Sequence, residues 1–200
     1  MITRRTALAA MAATPLLGTK SFAQEAAQVK EMSLGNPDSA VTVMEYASYT
    51  CPHCASFHAN TYPQLKANYI DTNKINFIYR DVYFDRFGLW ASMIARCDDK
   101  KFFGITDMLY KRQPEWSRAG DAPAVVGEMR KIGLLAGLSN EQMDACLNDQ
   151  AMAEALVARF QETTTKDDVN STPTLFVNGT KYSNMSYADL SELIEKELGS

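Results

Sequence analysis

One stretch constrains this chain more than any other: an apolar, β-branched run that ends at a Cys-x-x-Cys and resumes as a helix. Val41-Thr42-Val43-Met44-Glu45-Tyr46 reads as a buried strand. Cys51-Pro52-His53-Cys54 follows directly, and Ala55 to Ile70 then carries a helical pattern. In it Phe57, Leu65, Tyr69 and Ile70 are available to one side, and Pro63 is expected to kink the axis. Ile75-Asn76-Phe77-Ile78-Tyr79 is a second strand. Strand, helix, strand is the parallel unit that needs a crossover helix.

The rest of the chain completes this unit. Val29 to Leu34 is a candidate first strand, closed by an Asn36-Pro37-Asp38 turn. From Arg86 to about Asp149 the pattern is helical throughout. Trp90, Ile94 and Cys97 share one spacing, Phe102, Phe103, Ile105, Met108 and Leu109 cluster, and Val125, Met129, Ile132 and Leu135 mark a helix ending near Gly133 or Gly137. Ser139 with Gln142 three residues on forms a capping-box pattern. Met152 to about Thr165 is a long helix, and Pro173 to Val177 is a strand. Asn178-Gly179 turns into Thr180 to Tyr182, and Tyr187 to Leu198 closes as an amphipathic helix. A sheet with a helical block inserted in its middle is one α/β architecture, since a cut at the insertion leaves neither half a complete sheet.

The first residues read as an address. Arg4 and Arg5 precede a short apolar run from Ala7 to Gly18, and Ser21-Phe22-Ala23 offers small residues before a cut at Gln24. The run falls short of the roughly 20 residues that span a bilayer. The paired arginines resemble a twin-arginine signal, although Ala7 stands where that signal prefers Phe, so the export route stays open. Of 20 basic residues the segment holds Arg4, Arg5 and Lys20 and no acid, so its removal leaves 17 basic against 24 acidic side chains, a formal charge of −7. That balance argues against nucleic acid or an anionic membrane as partner. An exported chain with 4 cysteines sits where disulfides persist.

A thiolate is the reactive form of cysteine, and an ordinary thiol near ~8.5 is mostly protonated at neutral pH. Cys51 stands where strand gives way to helix, so unpaired N–H groups and the positive end of the helix dipole face its sulfur. Pro52 suits the first helical position. His53 brings an imidazole able to donate to the sulfur or to carry charge. Cys54 lies one turn deeper. A stabilised thiolate favours the dithiol, which makes the disulfide an oxidant. Covalent haem attachment would need His after the second cysteine, where Ala55 stands, and a zinc site would need a second cysteine pair that is absent. A structural bridge over so short a loop would stabilise little. No metal or cofactor is expected.

Tyr46-Ala47-Ser48-Tyr49-Thr50 leading into Cys51-Pro52-His53-Cys54-Ala55, with the helical insertion and Thr172-Pro173 later, resembles the DsbA-like thiol oxidases. The resemblance implies a thioredoxin-like fold over 24–85 and 150–200, with an inserted helical domain at 86–149 after a 1–23 signal peptide. It also implies a periplasmic, monomeric oxidase of reduced secreted proteins, re-oxidised by a quinone-linked membrane partner. In such folds Pro173 would be cis and, with Thr172, would face the redox pair and bind extended substrate by strand addition. The resemblance places Glu45 as a buried acid beneath the site, able to relay a proton for Cys54. The rival is an isomerase or reductase on the same fold: threonine before the cis proline is common in isomerases. Against it, only 27 residues after the cut precede Cys51, room for one strand and no dimerisation domain.

Cys97 and Cys146, 49 positions apart, both look inward-facing. They are expected to form a structural disulfide worth roughly 4 kcal/mol by loop entropy, with two buried free thiols as the alternative. A second cysteine pair suggests a branch resembling alphaproteobacterial members. His58 reads as a surface or groove residue, and Trp90, Trp116 and the methionines read as core.

Overall fold

In the computed structural model, residues 27–199 are described. The expected signal peptide over 1–23 lies outside them. The sheet has five strands: β1 (Met32–Gly35), β2 (Thr42–Ala47), β3 (Asn76–Asp81), β4 (Thr174–Val177) and β5 (Thr180–Ser183). Their order is β1-β3-β2-β4-β5. Only β2 and β3 run parallel, and β2 is the central strand, pairing antiparallel with β4 on its other side. The crossover between β2 and β3 begins with α1 (Pro52–Asn60), breaks at Thr61, and continues as α2 (Tyr62–Leu65) and a π-helical turn (Lys66–Ile70). The break falls where Pro63 was expected to kink the helix. On β3 Phe77, Tyr79 and Asp81 are buried and alternate with half-buried residues, while all four residues of β4 are buried. Asn178 and Gly179 both take positive φ, 46° and 81°, which the two-residue turn between β4 and β5 requires.

Five helices intervene between β3 and the long α8 (Gln150–Lys166): α3 (Arg86–Ala95), α4 (Phe102–Lys111), α5 (Gln113–Ser117), α6 (Ala122–Leu135) and α7 (Asn140–Leu147). Short polar side chains start most of them. Asp85 accepts from the Phe87 and Gly88 amides, Asp121 from Ala124, and Ser139 with Gln142 makes the full capping box. A last helix, α9 (Tyr187–Leu198), packs against α2. The helical block and the sheet share one core: Trp116, Phe102, Ile105 and Met143 cluster with Val43, Phe77 and Leu175.

Two expectations, on Leu135 and Trp90, need correction. Leu135 is 69% exposed, because at about 100° per residue it has drifted ~80° round α6 from Val125. The helix ends at Leu135, Gly133 lies inside it against Met143, and Gly137 follows with φ of 79°. Trp90 is only half-buried, with the Arg86 guanidinium 5.5 Å from its ring centroid. The expected Cys97–Cys146 disulfide is present, from just past α3 to α7, with both residues half-buried and Cys97 packed against the core.

Candidate active site

Cys51 is the N-cap of α1, in extended backbone (φ −81°, ψ 120°), with Pro52 in the first turn. No side-chain oxygen caps this helix. The Cys51 sulfur stands at that end without forming a cap bond, and the backbone N–H groups of His53 and Cys54 favour its thiolate. The Cys54 thiol is the strongest influence, donating to the Cys51 sulfur, and Thr172 adds to it. Together these outweigh burial and bring Cys51 down to about 5. Cys54 is driven the other way, first by burial, then by its bond to Cys51 and by the negative charge of Glu45. The two sulfurs are therefore unequal: Cys51, 8% exposed, is ionisable, and Cys54 is fully buried and holds its proton.

Thr172 meets Cys51 across the sheet. The Thr172-Pro173 peptide bond is cis, and the Thr172 carbonyl accepts from the Cys51 thiol at 3.4 Å. Its hydroxyl is buried and has no partner beside the protonated thiol. Once the thiolate forms, that hydroxyl can turn and donate to it. His53 is exposed, and among the described residues no hydrogen bond reaches its imidazole. What it gives Cys51 is its backbone N–H, not the side-chain donation its residue type suggested.

Glu45, on β2, is fully buried beneath this surface. Its Oε2 lies 2.9 Å from His58 Nε2. His58 is buried too, so it is not a surface residue, although it lines a groove as its reading allowed. The physical reason is periodicity: Cys54, Phe57 and His58 stand at i, i+3 and i+4 and form the buried stripe of α1. Once Cys54 is placed inward, His58 must follow, a signal the sequence did contain.

Other contacts carried no such signal. Gln113 of α5 donates through its side-chain amide to the carbonyls of Tyr49 (2.7 Å) and Cys51 (2.9 Å), clamping the redox loop to the helical block. Tyr49 bonds to Thr106 of α4 at 2.7 Å, and Tyr79 to Tyr110 at 2.6 Å. Thr50 donates to Asp85, the residue that caps α3. The loop before Cys51 is thus held from three helices of the insertion. Among the described residues no group of three or more His, Cys, Asp or Glu side chains is arranged to hold a metal ion.

The family model described as thioredoxin matches residues 27–196. The chain belongs to the thioredoxin family. Within that family it is similar to a Rickettsia bellii protein named "Putative protein-disulfide oxidoreductase", at 38% identity over 84% of this chain and 64% of that one. The chain thus spans less than two thirds of that relative's length. Disulfide bond formation protein D of Bacillus subtilis is 27% identical over 82% of this chain and 76% of its own. Among solved structures, Wolbachia pipientis alpha-DsbA1 superposes with a TM-score of 0.78 at 25% identity, covering 86% of this chain and 93% of that one. The DsbA-like resemblance and the α/β thioredoxin-like fold with a helical insertion stand on these matches. No helix among the described residues is long and apolar enough to cross a membrane.

Proposed function

We propose that the protein is an exported thiol:disulfide oxidoreductase that donates a Cys51–Cys54 disulfide to reduced, newly exported proteins in the periplasm. A substrate thiolate attacks the Cys51 sulfur, the Cys51–Cys54 bond breaks, and a mixed disulfide forms. A second substrate thiol then displaces the Cys51 thiolate, leaving the substrate oxidised by two electrons and the pair reduced. The observation that carries this reading is the inequality of the sulfurs. A thiol held near 5 is a good leaving group, and its stabilised thiolate weights the couple toward the dithiol. The names of the Rickettsia and Bacillus relatives support the same class of activity.

In this reading Pro52 and the backbone of His53 tune Cys51, while Glu45 serves Cys54. Thr172 and Pro173 receive the substrate backbone, and the Cys97–Cys146 bridge is structural. The sheet segments 24–85 and 150–200 carry the chemistry, and the insertion, 86–149, braces the redox loop through Gln113 and Thr106. The signal peptide delivers the chain, and a quinone-linked membrane partner returns its disulfide. Thr172 keeps a second reading, an isomerase or reductase on the same fold, because threonine before the cis proline resembles isomerases; its donation to the Cys51 sulfur by itself works toward an oxidant. The reduction potential of the Cys51–Cys54 pair separates the two. An oxidase should lie near about −120 mV, and a value near the roughly −270 mV of thioredoxin would overturn that assignment.

A further inference from the structure

His58 and His53 are the only 2 histidines of the chain, and only His58 is buried. Its side chain is 3% exposed and that of Glu45 is 0%. As a carboxylate Glu45 can only accept, and a neutral imidazole opposite it then carries its proton on Nε2 and leaves Nδ1 bare. Nδ1 is buried and unpartnered, and so is the second Glu45 oxygen, Oε1. The ring cannot easily turn to satisfy either. It is stacked on Tyr110 at 4.1 Å and lies against Tyr62 at 4.6 Å.

These surroundings leave few other groups to titrate. Tyr62 of α2, Tyr79 of β3 and Tyr110 of α4 are all pushed upward by burial and remain neutral. Cys54, one turn earlier on α1, keeps its proton for the same reason. Asp107 and Lys111 of α4 are the charged residues nearby, and both line a groove of about 540 Å³ between α1, α4 and α5. His58 lines that groove as well, with Ser56 and Pro114. The imidazole therefore stands between a buried carboxylate on one side and a solvent-sized opening on the other.

We propose that His58 is a positioning residue for the thiol–disulfide reaction, forming with Glu45 a buried proton couple that serves Cys54 and exchanges with solvent through the α1–α4–α5 groove. When a substrate thiolate bonds to the Cys51 sulfur, the Cys51–Cys54 bond breaks and its electron pair stays on the Cys54 sulfur. Cys54 takes a proton by way of Glu45, Glu45 is resupplied from His58 Nε2, and Nδ1 accepts one from solvent in the groove. Reoxidation runs the same path backwards and returns one proton to solvent. A lone buried carboxylate could not do this cheaply, because its charge opposes every thiolate that forms beside it. With an imidazole in contact, the resting carboxylate has a donor in Nε2, and the reverse transfer on reoxidation restores that donor.

The inference rests on the thiol–disulfide reading, and the test keeps the two apart. The Cys51–glutathione mixed disulfide of the whole protein is prepared, and the rate of glutathione release by Cys54 is followed over a series of pH values around neutrality. Alkylation of Cys51 in the reduced protein is measured in parallel. His58→Gln keeps a donor for Glu45 but cannot carry the proton. It should slow release on the order of tenfold at neutral pH and make the rate rise linearly with hydroxide. The Cys51 alkylation profile should stay unchanged. Glu45→Gln should give the same release profile, and the double variant should be no slower than either single one. If His58→Gln does not fold, Glu45→Gln carries the comparison alone. A release profile that superimposes on that of the unmodified chain overturns the couple, as does an equal shift in Cys51 alkylation. Failure of the unmodified chain to release glutathione would instead sink the thiol–disulfide reading.

Discussion

The inequality of the two sulfurs has a consequence that pH alone can expose. A dithiol that stays protonated takes up two protons with two electrons, so its potential falls by about 59 mV per pH unit. With Cys51 near 5 and Cys54 held far above neutrality, only Cys54 should take a proton above pH 5. The slope should then halve, to about 30 mV per unit. The sign follows from the direction of the Cys51 shift. Its pKa is depressed in the folded, reduced protein, so the stabilisation is complete above the ordinary thiol value of ~8.5 and lost as pH falls through about 5. At pH 7, two units above that value, ionisation can stabilise the reduced form by up to ~2.7 kcal/mol. Solvent screening at a sulfur that is not wholly enclosed takes part of this, leaving ~2 kcal/mol. That corresponds to about 40 mV of added oxidising power. The assay is equilibration with glutathione buffers at a series of pH values, followed by acid quenching and counting of trapped thiols. A slope that remains near 59 mV per unit through pH 7 would refute the argument, because it would require Cys51 to be protonated there.

Two further outcomes follow from the insertion. Replacing Cys97 and Cys146 together by Ala opens a loop of 49 positions and should cost about 4 kcal/mol by chain entropy, read as a lower denaturation midpoint with the Cys51–Cys54 potential unchanged. Gln113→Leu strips the shared donor from the Tyr49 and Cys51 carbonyls, which should cost ~1–3 kcal/mol of stability. The loosened loop should also raise the pH at which Cys51 thiolate absorbance appears, whereas an unmoved titration would mean that Gln113 braces the fold without tuning the sulfur.

How much of the site could be read in advance depended on distance along the chain. Cys51 as helix cap, Pro52 in the first turn and Cys54 inside were all local inferences, because strand, motif and helix lie within one β-α unit. The buried stripe of α1 is equally local: His58, four residues after Cys54, turns inward with it and still reaches the groove. The caps and the Asn178-Gly179 hairpin turn also depend on neighbours a few residues apart. Leu135 departs from its reading: its side chain is apolar, but a helix of 3.6 residues per turn rotates it off the stripe, and hydrophobicity alone does not report that.

What the sequence determined by itself is the redox motif with its strand-to-helix context, and with it the identity of the sulfur that ionises. Tertiary structure alone decided what that motif touches. The Gln113 clamp spans 62 and 64 positions, the Thr172 contact 121, and the Tyr49–Thr106 bond 57. The 13 positions between Glu45 and His58 become a contact only when α1 packs back over β2. Local pattern encodes which face of an element turns inward. Which partner waits there is set by the packing of elements far apart in sequence: burial raises Cys54, while the hydrogen bonds gathered round the Cys51 sulfur lower Cys51 against the burial it also feels.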